Sequence, residues 1–295
     1  MLKRAVKAIL EQFGLTNSAR RLLTKVRAVI RCAASTTFTF EGQQFTFFGY
    51  SEGEELFRKL RSRGGFYEPD LLNAIRARRK IGVYVDVGAN IGNHAVFFSA
   101  LCPSSRVIAV EPVKENYELL LKNIEVNHLQ NVVAVNVAAA TEAGFMAMEV
   151  VVSNMGASRR TAKMSRRATE QKPLDMILSG QPPVAVIKID VEDMECEVLL
   201  GAMETLKKDH PLVTTECRNE LFRKKVDDIL SGLGYHCAGV YCYTPTYVWV
   251  WEGSTPNDQA RHQISDHQTL GTDQISTDIK HAASTAPSAK ANPSA

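Results

Sequence analysis

The sequence has no apolar run of membrane-spanning length, no paired-cysteine motif and no phosphate-binding loop of the nucleoside triphosphatases. No uninterrupted apolar stretch approaches the roughly 20 residues that a transmembrane helix needs. The motif Gly-x-x-x-x-Gly-Lys-[Ser/Thr] is missing, which argues against a nucleoside triphosphatase. The seven histidines contain no His-Glu-x-x-His pattern, so we expect no metal site.

The cysteines indicate a reducing compartment. None of the six forms a Cys-x-x-Cys pair, and such spacings are typical of free, mostly buried thiols. The apolar content of 45% and the net charge of +3 are ordinary for a globular protein. We therefore expect a cytoplasmic location. The six are Cys32, Cys102, Cys196, Cys217, Cys237 and Cys242.

The most informative stretch begins with an apolar, β-branched run at 83–87. It leads into a turn that contains Gly88 and Gly92, and a helical pattern follows. This order predicts a buried parallel strand, a tight turn and a helix start. The two glycines let backbone approach a ligand where a Cβ atom would collide, although a purely structural turn is the alternative. A crossover of this kind places ligands at the carboxyl ends of the strands.

A second buried strand, at 106–110, ends in Glu111, which lies 25 positions after Asp86. That offset is close to the roughly 20 residues at which nucleotide-binding folds contact a ribose. A carboxylate there accepts hydrogen bonds from two hydroxyl groups and so selects a diol. The turn is not Gly-x-Gly-x-x-Gly, so no pyrophosphate site is expected. S-adenosylmethionine therefore fits, whereas NAD and ATP fit poorly.

A third apolar strand ends at Asp190. Strand alternation places Asp190 and Glu192 on one face, and Lys188 shares that parity but lies deeper. Both acids are candidates for the general base of a transfer to a hydroxyl group. The alternative is that Glu192, Asp193 and Glu195 are acids favoured at a helix N-terminus by the helix dipole.

Further short motifs follow in a characteristic order. They are Gly65-Phe66-Tyr67-Glu68, the stretch 85–94, Glu111-Pro112, Leu121-Lys122-Asn123-Ile124, Asn154-x-Gly156, Leu174-Asp175, the stretch 187–192, Gly201-Ala202, and Pro211 followed by Glu216. In this order and spacing the chain resembles the FkbM family of S-adenosylmethionine-dependent methyltransferases over roughly residues 60–220. One position departs from the family, which usually has Gly where this chain has Asp193. Asp tolerates positive φ better than most residues.

The resemblance implies an α/β fold of the class I methyltransferase type. This is a doubly wound, mostly parallel, Rossmann-like sheet with an antiparallel C-terminal hairpin. The sequence pattern places strands near 83–87, 106–110, 132–137, 185–190 and 212–216, helices near 93–101, 114–127, 195–208 and 219–231, and the hairpin at 235–241 and 246–251.

The resemblance also implies the cofactor, S-adenosyl-L-methionine. Asp190, Glu192 and Glu216 end strands at the edge of the cleft, so they are the catalytic candidates, with His94 as the alternative base. The cofactor-binding candidates are Glu68, Asp86, Gly88, Asn90, Gly92, Glu111, Asn136 and Asp190.

The implied function is O-methylation of a hydroxyl group in a sugar, glycan or natural product. The alternative is a catalytically inactive, methyltransferase-like module that binds an anionic partner. The presence together of Asp86, Glu111 and Asp190 favours an intact cofactor site. No nucleic-acid partner is expected, because no aromatic-rich motif accompanies the basic residues and the pI near 8.5 is below the usual range of such proteins.

Three regions are expected along the chain: a basic extension at 1–58, a methyltransferase domain at 59–252 and a disordered polar tail at 253–295. The amphipathic basic segment 1–31 is either a helical cap on the domain or a surface helix on anionic membranes. A β-hairpin is expected at 36–50 around Glu41-Gly42. The polar tail has too few apolar residues to offset its ordering entropy. An insert at 145–180 carries a basic loop that contains Arg159, Arg160, Lys163, Arg166 and Arg167.

Overall fold

A computed structural model describes residues 34–50, 55–149, 159–160 and 168–253. The predictions for the segment 1–31, for most of the basic loop and for the tail lie outside these residues. Within them, no helix is both long and apolar enough to cross a bilayer. The five cysteines in this part of the chain are all free, but only Cys217 is buried, so the prediction of mostly buried thiols was wrong.

The described residues form thirteen strands and eight helices. The strands are β1 (Ala34–Phe40), β2 (Gln43–Gly49), β3 (Gly82–Val87), β4 (Ser104–Val110), β5 (Val132–Val135), β6 (Ala138–Ala139), β7 (Gly144–Glu149), β8 (Arg159–Arg160), β9 (Ala168–Lys172), β10 (Val184–Ile189), β11 (Leu212–Glu216), β12 (Tyr235–Tyr241) and β13 (Thr246–Trp251). The helices are α1 (Glu55–Arg63), α2 (Pro69–Ala77), α3 (Asn93–Leu101), α4 (Lys114–Val126), α5 (Leu174–Ile177), α6 (Glu195–Leu200), α7 (Met203–Asp209) and α8 (Glu220–Ser231).

The central sheet has seven strands in the order β12-β13-β11-β10-β3-β4-β5. The five strands from β11 to β5 pair in parallel, and β12 and β13 form an antiparallel hairpin at one edge. Strand order reverses between β3 and β10, where crossovers leave in opposite directions. The predicted class, a doubly wound parallel sheet with an antiparallel C-terminal hairpin, is confirmed.

Side-chain alternation along β3 divides the interior into two apolar cores. Val83 and Val85 belong to the core that includes Leu199 and Leu230, from helices α6 and α8. Tyr84 belongs to the core that includes Phe97, from α3. Because successive strand residues point to opposite faces, a continuous apolar strand needs helices on both sides of the sheet.

The predicted N-terminal hairpin is confirmed as β1 and β2, with Phe38 opposite Phe45. Its turn is Glu41-Gly42, and both residues have positive φ, as two-residue hairpin turns require. The ring of Phe66 lies 5.1 Å from that of Phe38 and 5.2 Å from that of Phe97. The hairpin therefore shares an aromatic cluster with α3 and with the segment that precedes α2.

Asparagine side chains of α4 bind the backbone of this hairpin. The side chain of Asn123 accepts the N–H of Phe48 at 2.7 Å and donates to its carbonyl at 3.1 Å. It also donates to the carbonyl of Ile91 at 2.8 Å, and Ile91 belongs to the turn after β3. One turn later, Asn127 makes the same pair of bonds to Thr46. These side chains thus supply hydrogen-bond partners for backbone N–H and C=O groups of β2 that would otherwise pair with another strand.

Two sequence-based boundaries were wrong. The predicted helix at 195–208 is two helices, α6 and α7, separated by Gly201 and Ala202. Asp175 explains the second start, because its carboxylate accepts the N–H groups of Glu204 and Thr205, each at 2.9 Å. The predicted strand at 132–137 ends as β5 at Val135, and a separate two-residue strand, β6, follows.

Candidate active site

A pocket opens at the carboxyl ends of β3, β4 and β10, beside the point where strand order reverses. This is where open α/β sheets bind ligands. Five of the predicted site residues line it: Gly88, Asn90, Glu111, Asp190 and Glu192. The other lining residues are Leu56, Tyr67, Val87, Ala89, Asn93, His94, Val110, Pro112, Val113, Asn116, Ala138, Ala139, Met146, Lys188, Val191 and Met194.

The glycines of the turn after β3 make room for neighbouring parts of the protein. Gly88 has φ +78°, and a Cβ atom there would collide with the backbone carbonyl of Asp190. Gly92 has φ +98°, and a Cβ there would lie 2.7 Å from the side chain of Leu120. The turn therefore packs directly against the end of β10 and against α4. Substitutions at either glycine would disturb the fold whether or not a ligand binds.

Glu111 is the most constrained acid of the pocket. Its side chain accepts the N–H of Asn90 and the N–H of Val113, each at 2.8 Å, one at each carboxylate oxygen. The residue is 4% exposed. Burial raises the pKa of Glu111 to about 7, although the two backbone hydrogen bonds oppose this rise. The carboxylate is thus held in one orientation at the pocket surface.

Asn136 lies behind Glu111 and does not line the pocket. Its amide donates to the backbone carbonyls of Glu111 at 2.8 Å and of Pro112 at 3.2 Å. The structure therefore places this predicted cofactor residue in the support of the loop after β4.

Lys188 lines the pocket, although the sequence analysis assigned it no role at the site. It is 3% exposed and its ammonium lies 3.0 Å from a carboxylate oxygen of Asp86. Asp86 is fully buried and is not among the lining residues, so Lys188 separates it from the pocket. The sequence signal that could have identified Lys188 is the presence of one lysine within an otherwise apolar strand. Its register opposite Asp86, from β3 to β10, is visible only in the sheet.

Asp190 and Glu216 form a carboxyl pair at the ends of β10 and β11. Burial raises the pKa of Glu216 well above its usual range, and the nearby charge of Asp190 adds to this rise. Burial also opposes ionisation of Asp190 and is the largest single effect, but the ammonium of Lys188 and the hydrogen bond from Glu216, with smaller contributions from other groups, together hold the pKa of Asp190 below its usual value. Two carboxyl groups this close share one proton at neutral pH. Asp190 lines the pocket, and Glu216 contacts it from behind.

Glu192 and Arg218 form an ion pair beside that carboxyl pair. The Nε atom of Arg218 also lies 3.6 Å from Glu216. Glu192 and Asp193 have φ of +57° and +71°, so Asp193 adopts the left-handed conformation for which the family uses glycine. Since Glu192 lies in a left-handed turn, strand alternation does not set its direction, yet it borders the same pocket as Asp190.

Glu68 reaches the pocket through His94. A carboxylate oxygen of Glu68 lies 3.3 Å from Nε2 of His94, and Nδ1 of the imidazole lies 3.4 Å from the amide nitrogen of Asn93. Burial opposes ionisation of Glu68, but His94 lowers its pKa overall. Nδ1 of His94 therefore has a hydrogen-bond partner, whereas Nε2 faces Glu68 without a hydrogen bond; because His94 also lines the pocket, it stays the alternative base. Within the described residues, no group of three or more potential ligands is placed to hold a metal ion.

The chain is similar to several known methyltransferases over part of its length. Ribosomal RNA small subunit methyltransferase H of Thermosipho melanesiensis is 28% identical over 117 residues, which are 37% of this chain and 40% of that protein. The chain therefore spans less than half the length of this relative. The FkbM methyltransferase of Methylobacillus flagellatus has 16% identity and a TM-score of 0.45, over 59% of this chain and 44% of that one. Precorrin-6y C5,15-methyltransferase of Geobacter metallireducens has 14% identity and a TM-score of 0.43, over 63% and 87%.

The family itself is decided by a match to the methyltransferase FkbM domain. The match covers residues 86–237, which is just over half of the 295-residue chain. It runs from the acid at the end of β3 into the C-terminal hairpin and includes Glu111, Asp190 and Glu216. The chain belongs to the FkbM methyltransferase family.

Proposed function

We propose that this chain is an S-adenosylmethionine-dependent methyltransferase that methylates a hydroxyl group. The observation that carries the proposal is the arrangement of acids in one pocket. Glu111 from β4 is held by two backbone N–H groups, and Asp190 from β10 borders the same pocket with a second carboxyl group behind it. The first suits a ribose diol, and the second suits removal of a proton from an acceptor.

The residues around Glu111 fit this cofactor. The fixed carboxylate retains lone pairs for the two ribose hydroxyls. Val113, Ala139 and Met146 supply apolar surface for a purine. The turn at 88–92 has no run of glycines for a diphosphate, which fits a nucleoside without phosphates. Bound S-adenosylmethionine supplies an electrophilic methyl group on a sulfonium.

The acceptor half of the pocket is built for one proton transfer. The pair of Asp190 and Glu216 carries about one negative charge, so its ionised member can accept the hydroxyl proton. Lys188 lies 3.6 Å from Asp190, and Arg218 lies 3.6 Å from Glu216, so both cations offset that negative charge. Holding the acceptor oxygen in line with the methyl donor would supply several kcal/mol of the barrier.

The charges at this end of the sheet favour an uncharged acceptor, such as a hydroxyl of a sugar, glycan or natural product. Asp190, Glu192 and Glu216 lie together there, and the cations among the described residues near them, Lys188 and Arg218, are already paired with carboxylates. The named relative acts on ribosomal RNA, whose phosphates such acids would repel. We therefore propose a small-molecule or glycan acceptor rather than a nucleic acid.

The test is transfer of an isotopically labelled methyl group into a cell extract. The purified chain is incubated with extract and methyl-labelled S-adenosylmethionine, and labelled products are identified by mass spectrometry. We expect labelled methyl ethers with the wild type and with Glu170→Ala, a surface control whose partner is Lys172. We expect none with Glu111→Ala. Label found only on nitrogen or carbon would contradict O-methylation, and a wild type that binds no S-adenosylhomocysteine would contradict the cofactor.

A further inference from the structure

A single buried ammonium connects three parts of the active site. Lys188 belongs to β10, in which every residue is buried and all the others are apolar. Its Nζ atom donates to the carbonyl of Gly88 at 3.1 Å and lies 3.0 Å from Asp86 and 3.6 Å from Asp190. Of these contacts, the one to the Gly88 carbonyl is a hydrogen bond, whereas the two carboxylates lie at ion-pair distances and the buried Asp86 oxygens accept no hydrogen bond within the described residues.

The three partners have different positions relative to the pocket. Asp86 is fully buried behind it, whereas Gly88 and Asp190 form part of its surface. A charged lysine at this depth is tolerated only with a compensating charge, and Asp86 provides that charge across the strand pair. The paired ammonium donates to the carbonyl of Gly88 and lies within ion-pair distance of Asp190.

We propose that Lys188 is a positioning residue of the methyl-transfer site, which holds the Asp190 carboxylate and the Gly88 carbonyl in place, and that Asp86 serves as its counter-charge and not as a cofactor ligand. This gives Asp86, near the end of β3, a different role from the one that the sequence predicts. The positioning role of Lys188 rests on the proposed function only because that function assigns Asp190 to the reaction.

Other charged groups also face Asp190 and affect the pH at which it titrates. Glu216 is the strongest of them, because the two carboxyl groups share a proton. A background of Glu216→Gln therefore removes the most strongly coupled carboxyl group, and the remaining groups are the same in the variants that are compared. The charged or titratable groups around Asp190, besides Lys188, are Glu68, His94, Glu192, Glu195, Glu216 and Arg218.

The experiment follows the carboxyl group of Asp190 by NMR with ¹³C-labelled aspartate, assigned by comparison with Asp190→Asn. In the Glu216→Gln background, we expect Lys188→Met to raise the midpoint of Asp190 by at least about one pH unit, since an opposite charge at this distance is lost. Lys172→Met removes a lysine paired with Glu170 on β9 and should leave the midpoint unchanged. An equal midpoint in the two lysine variants would overturn the positioning role.

A double variant keeps the test decisive if Lys188→Met alone fails to fold. Each single change, Asp86→Asn or Lys188→Met, leaves one buried charge without its partner, whereas the double variant leaves neither. We expect the double variant to melt at a higher temperature than Lys188→Met and still to show the raised midpoint of Asp190. A double variant no more stable than the single one would overturn the counter-charge role of Asp86. A wild type that binds no S-adenosylhomocysteine would overturn the proposed cofactor but leave these two results interpretable.

Discussion

Glu111 accepts the backbone N–H of Asn90 at 2.8 Å, which joins the end of β4 to the turn after β3. The acid expected to bind a ribose and the turn expected to approach the cofactor are therefore one hydrogen-bonded unit. Asn90 has φ +51°, so this bond also stabilises a left-handed residue within the turn. Loss of the carboxylate changes both the ligand contact and the shape of the turn.

Glu111→Ala should weaken binding of S-adenosylhomocysteine at least about tenfold, or 1.4 kcal/mol. It should also lower stability by about 1–3 kcal/mol, because the N–H groups of Asn90 and Val113 lose their acceptor. Calorimetry gives the affinity, and chemical denaturation of the same preparation gives the stability. Glu170→Ala is the control. Unchanged affinity in a destabilised Glu111 variant would show that the residue is only structural.

Binding of S-adenosylhomocysteine should weaken about tenfold between pH 8 and pH 6. Burial raises the pKa of Glu111 to about 7, and only the ionised carboxylate can accept both ribose hydroxyls. Below that pKa, ligand binding must first remove a proton, so the dissociation constant rises as the pH falls. Calorimetry at several pH values measures this, and the slope should be lost in Glu111→Ala. A slope retained in that variant would assign the titration to another group.

Asp190→Asn should lower turnover by roughly 100-fold, because Asp190 is the ionised member of the pair and borders the pocket. The amide keeps the shape of the side chain but cannot accept the hydroxyl proton. Glu192→Gln tests the other catalytic candidate, and we expect a smaller loss because the amide oxygen can still accept from Arg218. Rates with the acceptor found by labelling, measured beside melting temperatures, compare the two. A larger loss of turnover in Glu192→Gln would move the role of base to that residue.

Glu195→Gln should stabilise the protein at pH 8 and have little effect near pH 4.5. Burial raises the pKa of Glu195 from 4.5 to about 7, so the folded chain keeps a proton that the unfolded chain has lost. Stability therefore falls as the pH rises through this window, and the full penalty, on the order of 3 kcal/mol, applies above pH 7. The amide oxygen can still accept the N–H of Val191. Denaturation of both proteins at the two pH values checks the difference, and an equal gain at both would contradict the titration.

Asn123→Ala should lower stability by about 2–4 kcal/mol. The side chain is fully buried and makes three hydrogen bonds, to both backbone groups of Phe48 and to the carbonyl of Ile91, all of which would lose their partner. The matched change Asn127→Ala removes only the bonds to Thr46 and the helix backbone, and should have a smaller effect. Hydrogen exchange at the amide of Phe48 should accelerate in the first variant. Equal losses of stability in the two variants would contradict this assignment.

The local sequence was sufficient for the elements that carry the site. Helix α3 and the C-terminal hairpin have the predicted bounds, and the core strands differ by a few residues at their ends. Buried parallel strands are continuous apolar runs, and each stops at the polar residue that leaves the core, so both strand and terminal acid are visible locally. For the same reason Glu111 and Asp190 could be placed at one edge of the sheet before any contact was known.

The partners of those acids were decided by the tertiary structure. Lys188 donates to a carbonyl 100 positions earlier, and Asn123 binds a residue 75 positions before it. Arg218 pairs with Glu192 only because β10 and β11 are neighbours in the sheet. Strand order and register are set by the packing of the whole domain, whereas residue patterns report only burial and local backbone preference. The sequence alone therefore placed Glu111 and Asp190 at the pocket, and the folded sheet decided that Asp86 and Asn136 lie behind it, that Lys188 lines it, and which of the acids are ionised or paired.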